Sequence, residues 1–455
     1  MDSCHAPGLT DLIMKNGEII WIGHYGFSNI EQQLPPNDST SWDAGSIAKT
    51  VTAVAAMKAW EDGHYGLDDD INDYLQFSVT NTHYPDDSIT QLMLLTHTSS
   101  IDQFSMTQCI SYNGDPAIPL DTALYNYLNT AGYWYAPGHY MMYPPGDYCK
   151  YTNAGIGLAG YFTQVATGDS LPLYCRQHIF EPLGMDHTSW WYSELDTNNV
   201  AIQYDYNGVQ YVRCYSGRVS HSCYPAGQLK FSAIDLSRFL LAFMQYGRLD
   251  TVRILDSTTV ALMRTIQDTV VHGQFVCPIG ITWWCWHSPS TGSPVWGHAG
   301  RDWGASAVMA YYESLDIGVV ILSNGEINSL THLLAGMVPT LVHWAMQYGI
   351  AENTIEPANI VTLDVAPNPF TNITNIRYTI PELRNSNFEM RKPTLRIYDA
   401  SGRLVKSFPN TPYALRNTLS WDGRDDQNRM LGSGVYFVKL GSGNFTETKK
   451  VLLVR

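Results

Sequence analysis

Apolar and polar positions along this chain change their period several times. Residues 9–15 and 18–27 are β-rich runs on either side of Asn16-Gly17, which predicts two strands joined by a tight turn. The run Val51, Ala53, Val54, Ala55, Ala56, Met57, Ala59 and Trp60 is apolar on nearly every face, so it predicts a helix inside a core, ending near Gly63. Shorter helical patterns follow at Ile89–Leu95, at the amphipathic Leu120–Asn129 and at Ser232–Phe243, where Ser232 is the cap. Small residues at Ala154–Gly160 allow close helix packing. Two β-rich runs, Ala305–Tyr311 and Ile317–Leu322, precede a last helix from about Ile327 to Tyr348. Strands at both ends with helices between predict an α/β (α+β) sheet carrying a helical insertion over about residues 65–225.

Beyond Gly349 the texture changes to short alternating strands between Pro, Asn and Gly turns. They are Thr374–Thr379, Thr394–Tyr398, Leu419–Trp421, Gly434–Leu440 and Thr446–Val454. Such spacing predicts a small antiparallel β-sandwich. The expected organisation is therefore a first domain over 1–350, a linker over 351–362 and a sandwich over 363–455.

Ser46 stands at the mouth of the apolar helix and Lys49 follows one turn later on the same face. Two readings fit. One is a helix cap with a lysine in the first turn; the other is a nucleophile whose proton passes to an amine kept partly neutral by its surroundings. The aspartates of Gly66-Leu67-Asp68-Asp69-Asp70-Ile71 lack the alternating pattern of a calcium loop and read as charges at a helix start. The tyrosine-rich stretch from about 103 to 145 reads as loops.

A hydrophobic fraction of 45% with 15% charged residues describes a globular protein. No apolar run reaches the roughly 18 residues of a membrane span. The net charge of −15 divides into +5 for residues 356–455 and −20 for the remainder, which argues against a nucleic-acid partner for the main body. Eight cysteines are dispersed with no zinc-type spacing; Cys214/Cys223 and Cys277/Cys285 could pair locally in an oxidising compartment or stay as buried thiols. The start, Met1-Asp2-Ser3-Cys4-His5, shows no signal-peptide pattern.

Three polar elements stand in order: Ser46-x-x-Lys49, Tyr151-x-Asn153 and His298-x-Gly300, separated by 105 and 147 residues. With the flanking Pro7-Gly8, Leu94-Leu95-Thr96-His97-Thr98-Ser99, Pro145-Gly146 and Ser323-Asn324, residues 6–348 resemble the serine β-lactamase-related hydrolases. That family comprises class C β-lactamases, DD-peptidases, D-aminopeptidases and esterases of one fold. The resemblance implies an acyl-enzyme on Ser46, with Lys49 or Tyr151 as the base and Asn153 holding Lys49 and the substrate amide. It also implies an oxyanion hole from the backbone N–H groups of Ser46 and Arg301, close substrate approach at Gly300, and no metal or cofactor.

Class C enzymes carry lysine where this chain has His298. Histidine is mostly neutral at pH 7 and attracts a substrate carboxylate less. The expectation therefore moves toward peptidase or esterase activity on a small-molecule or peptide substrate, of the D-alanyl-D-alanine carboxypeptidase or D-aminopeptidase type. Arg301 either restores a cation or sits in a surface salt bridge. A reading of another class is a silent penicillin-binding sensor. No Gly-x-Ser-x-Gly elbow and no His-Glu-x-x-His occur, which argues against an α/β-hydrolase and a zincin.

Asn368-Pro369-Phe370, Ile397-Tyr398-Asp399-x-x-Gly402-Arg403, Trp421-Asp422-Gly423-x-Asp425 and Ser433-Gly434-Val435-Tyr436 resemble FlgD-like immunoglobulin folds and type IX secretion sorting domains. That implies contact with secretion machinery and a bacterial protein at the cell surface or in the medium. Secretion calls for a signal peptide, and the family has an N-terminal helix before Pro7-Gly8, so a missing start or a fragment is expected.

Overall fold

In the computed structural model, the described residues are 6–102, 109–112, 114–215, 218–272, 275–288, 292–327, 332–347, 362–379, 394–408, 416–442 and 445–455. They divide into two compact units, Met1–Gln347 and Tyr348–Arg455. No helix among them is long and apolar enough to cross a membrane.

The first unit is built on an eight-stranded antiparallel sheet. Its order is Asp268–His272, Phe275–Ile279, Trp284–His287, Pro294–Asp302, Ala305–Tyr312, Ile317–Ser323, Gly8–Lys15 and Glu18–Gly26. The strand at the start of the chain pairs with a late one, Leu9 opposite Ser323 and Lys15 opposite Ile317. Everything between is held by that closure. Successive side chains point to opposite faces, and here both faces are covered. Leu12, Met14, Ala307, Met309, Val320 and Leu322 join the core that holds the Ser46 helix. Leu9, Ile13, Val308, Ala310, Val319 and Ile321 join a second core with helix Val338–Gln347.

Cys285 belongs to the first core and Cys277 to the second, so the sheet separates them and both are free thiols, the second of the two alternatives. Cys214 and Cys223 are also free thiols. Cys4 lies outside the described residues, as do residues 328–331 of the expected last helix. The aspartate run forms local caps: Asp69 accepts the N–H of Gly66, and Asp70 caps the short turn Ile71–Asp73.

The Ser46 helix begins as a 3₁₀ turn, Gly45–Ile47, and continues as an α-helix, Ala48–Glu61, buried from Ala48 through Met57. Helix Asn153–Thr167 lies against it, but its glycines serve another neighbour. A Cβ on Gly157 would sit 2.2 Å from Cys223 Sγ, and one on Gly160 2.6 Å from Pro225 Cβ. The small-residue face thus seats the turn Tyr224–Ala226.

In the second unit, one sheet holds Thr362–Ala366, Thr374–Thr379 and Arg416–Trp421. The other holds Leu404–Phe408, Thr394–Asp399, Gly434–Ser442 and Phe445–Leu453. They share one core around Ile376, Leu395, Ile397, Trp421, Val438 and Val451, a β-sandwich. The Asp399-x-x-Gly402-Arg403 motif is a self-contained turn, Asp399 accepting the backbone N–H groups of Ser401 and Arg403 while pairing the Arg403 guanidinium.

Gly157→Ala overpacks a fixed turn and is expected to cost about 1–3 kcal/mol in urea unfolding of the first unit. Adding Cys223→Ala should recover most of that loss, because Cβ of residue 223 lies 3.7 Å from the new methyl. No recovery in the double variant would contradict the seating.

Candidate active site

Ser46 is half-buried on its 3₁₀ turn, and Lys49 beneath it is fully buried. The Lys49 ammonium donates to Ser46 Oγ at 2.9 Å and to the Ala226 carbonyl at 2.5 Å. It also stands 4.9 Å from the Tyr151 ring centroid. Burial pushes Lys49 down to about 7, against the opposing pull of Cys223 and Asp302. The amine is thus poised to accept a proton near neutrality, where an exposed lysine is charged.

Tyr151 also hydrogen-bonds Ser46, and burial raises its phenol well above the ordinary tyrosine value. Its ring packs in a cage of His97 at 4.6 Å, Trp284 at 6.1 Å and His298 at 6.2 Å. His97 sits in the Thr96–Ser100 loop, which is buried throughout and turns at His97 through φ +61°. The Thr152 N–H donates to His97 Nδ1 at 3.3 Å, which fixes the ring beside Tyr151.

Asn153 opens helix Asn153–Thr167, half-buried, and its carbonyl accepts from Cys223 Sγ at 3.4 Å. His298 departs from the sequence expectation. It is fully buried, stacked on Trp284 at 4.2 Å, with Nδ1 donating to the Ala299 carbonyl at 2.6 Å. Trp284 comes from the adjacent strand, where it pairs with Gly297, and its indole lies against the imidazole. Its neighbour is Tyr151.

A Cβ on Gly300 would lie 1.9 Å from the Ala44 carbonyl and 3.1 Å from Ser46 N. What presses on this strand is the backbone of the Ser46 turn. Gly45, at φ +49°, completes the fit, since a Cβ there would meet Arg301 N at 2.8 Å. Two backbone N–H groups, those of Ser46 and Arg301, are thereby brought beside each other. The exposed Arg301 guanidinium pairs with Glu326 at 2.9 Å.

Sequence reasoning gave no role to His97, Trp284 or the Ala226 carbonyl. The Leu94–Ser99 stretch was a signal for His97; a buried tryptophan and a carbonyl leave none.

Comparison with known proteins then adds the family. The beta-lactamase family model matches residues 1–333, well over half of the chain. The chain belongs to the beta-lactamase family. A second model, the secretion system C-terminal sorting domain, matches residues 364–454 of this beta-lactamase-family chain. Protein flp of Staphylococcus aureus strain N315 is 26% identical over 204 residues, 45% of this chain and 39% of flp. The chain thus spans about two fifths of that relative's length. Among solved structures, the octameric penicillin-binding protein homologue from Pyrococcus abyssi aligns at TM-score 0.58 and 18% identity, over 98% of this chain and 96% of that one. D-alanine carboxypeptidase AmpC from Burkholderia cenocepacia aligns at 0.55 and 22%, over 72% of this chain and 91% of that one. At such identities these structures speak for the fold.

Gly300→Ala drives a methyl into the Ala44 carbonyl and is expected to slow fluorophosphonate modification of Ser46 by about 100-fold, the scale of a lost oxyanion donor. An unchanged rate would show that the turn and strand are not held together as described.

Proposed function

We propose that the chain is a serine hydrolase working through an acyl-enzyme on Ser46. The observation that carries the reading is the wholly buried Lys49 amine 2.9 Å from Ser46 Oγ. Neutral Lys49 takes the hydroxyl proton as Oγ bonds to the acyl carbon. The tetrahedral oxyanion lies between the N–H groups of Ser46 and Arg301. Tyr151, protonated at rest because burial raises its phenol, passes that proton to the departing oxygen or nitrogen and is refilled from the Lys49 ammonium. Water then attacks the acyl-enzyme, and the same groups run in reverse.

The scissile bond is an ester or amide, and the surroundings favour an uncharged ester over a carboxylate-terminated peptide. Lys150 at the turn before Tyr151 pairs with Asp102 at 2.5 Å, Arg301 with Glu326, and His298 is buried. Tyr112, Tyr215 and Trp303 form a chain of rings at 6.3 and 5.7 Å, two residues beyond Arg301, suited to an apolar or aromatic group. These features support the carboxylesterase reading over the D-alanyl-D-alanine carboxypeptidase or D-aminopeptidase one. The sorting-domain match supports delivery to the cell surface or medium.

Fluorophosphonate is expected to label the wild-type chain at Ser46 and leave Ser46→Ala unlabelled; labelling that persists in the variant would sink the assignment. On a panel of p-nitrophenyl esters, nitrocefin and D-Ala-D-Ala peptides, the esters should turn over fastest. Efficient nitrocefin turnover would contradict the substrate reading. Because Lys49 must be neutral to accept a proton, kcat/KM should rise with pH through about 7 and then level, and Lys49→Arg should abolish it.

A further inference from the structure

A second buried polar group lies behind the nucleophile turn. Asp43 and Lys230 stand directly opposite each other on the two-stranded pair Trp42–Asp43 and Lys230–Phe231. Asp43 Oδ1 accepts the N–H of Gly45, the residue before Ser46, at 2.8 Å. Its Oδ2 is 3.4 Å from Gln203 Nε2. Lys230, fully buried, donates to the Trp190 carbonyl at 3.0 Å and rests 3.9 Å from the Tyr192 ring centroid.

Asp302 follows Arg301 at the end of the oxyanion strand. It accepts the N–H of Trp303 at 2.8 Å and a hydrogen bond from the Gln228 side chain. Gln228 Oε1 in turn accepts the His221 N–H at 2.7 Å, so one amide ties the 221–228 loop to the strand. Gln228 does this from φ +59°, a left-handed conformation that a non-glycine residue adopts only at a cost. The proposed mechanism uses none of these four side chains.

We propose that Asp43, Lys230, Asp302 and Gln228 form a positioning assembly that fixes the Ser46 turn against the Arg301 end of its strand. It rests on the acyl-enzyme reading above. Asp43 holds one side of the oxyanion hole through Gly45, and Asp302 with Gln228 holds the other through the residue after Arg301. Lys230 provides a buried positive charge that acts on both carboxylates. Burial and the Asp43 carboxylate push Asp302 up to about 7, with Lys230 and Gln228 opposing, so the cluster avoids two full negative charges. The other charged and titratable groups around the cluster include Arg218, over the Tyr192 ring at 5.2 Å, Asp115, His221, and the Tyr215 and Cys214 side chains.

Gln228→Gly is the discriminating variant. Glycine relieves the left-handed backbone and so keeps the fold, while the link to Asp302 and His221 is lost. Expected with a p-nitrophenyl ester is a fall in kcat of about tenfold, within the scale of an impaired oxyanion hole, with KM changed less than about twofold. Asp302→Ala should behave alike, and Asp302→Asn, which keeps an acceptor for Trp303 and Gln228, should restore most of kcat. Amide hydrogen exchange over segments 43–47 and 299–304 should quicken in Gln228→Gly and Asp302→Ala. Unchanged exchange and unchanged kcat in Gln228→Gly would overturn the assembly. A wild-type chain that fluorophosphonate does not label would overturn the acyl-enzyme reading alone, since the exchange measurement stands without it.

Discussion

The structure turns on one constraint: a lysine side chain kept entirely from water with its amine against a serine hydroxyl. Burying an ammonium is costly, and the usual outcome is a depressed pKa. Here that outcome follows from the packing. The helix carrying Lys49 is buried almost all round, so no side offers the amine a path to solvent. Its acceptors are Ser46 Oγ and the Ala226 carbonyl, and the turn bearing Ala226 is held by the glycines of helix Asn153–Thr167. Distant packing is thereby tied to the protonation of one nitrogen.

The sheet makes the second half of the site. Closure of the first strand on Ile317–Ser323 fixes the neighbouring strands and so the height of Pro294–Asp302 beside the Ser46 turn. Gly45 and Gly300 allow backbone to meet backbone there, and carboxylates fasten both flanks. Tyr151 enters from the helical insertion, caged by rings from a loop and two strands.

Much of this was legible in the residues. The all-round apolar run announced a buried helix, the strand patterns at both ends announced a sheet with an insertion, and the regular short strands announced the sandwich. Ser46, Lys49 and Tyr151 come together as their order implied. The side-chain roles of His298 and Gly300 were less legible, because they depend on what packs across a strand. Trp284 lies against His298, and the Ala44 carbonyl fills the space at Gly300. The residues left open whether Cys277 and Cys285 pair or stay as thiols, because eight residues of separation say nothing about which face of a sheet each takes. Gln228 carried no signal at all, since its strain and its two hydrogen bonds exist only in three dimensions.

The most direct test of the account is the titration of Lys49 itself. In protein labelled with ¹³C at the lysine Cε, the Lys49 resonance, assigned by its loss in Lys49→Met, should titrate at about 7. A Lys49 that titrates near the ordinary lysine value of about 10.4 would contradict the claim that burial prepares this amine to activate Ser46.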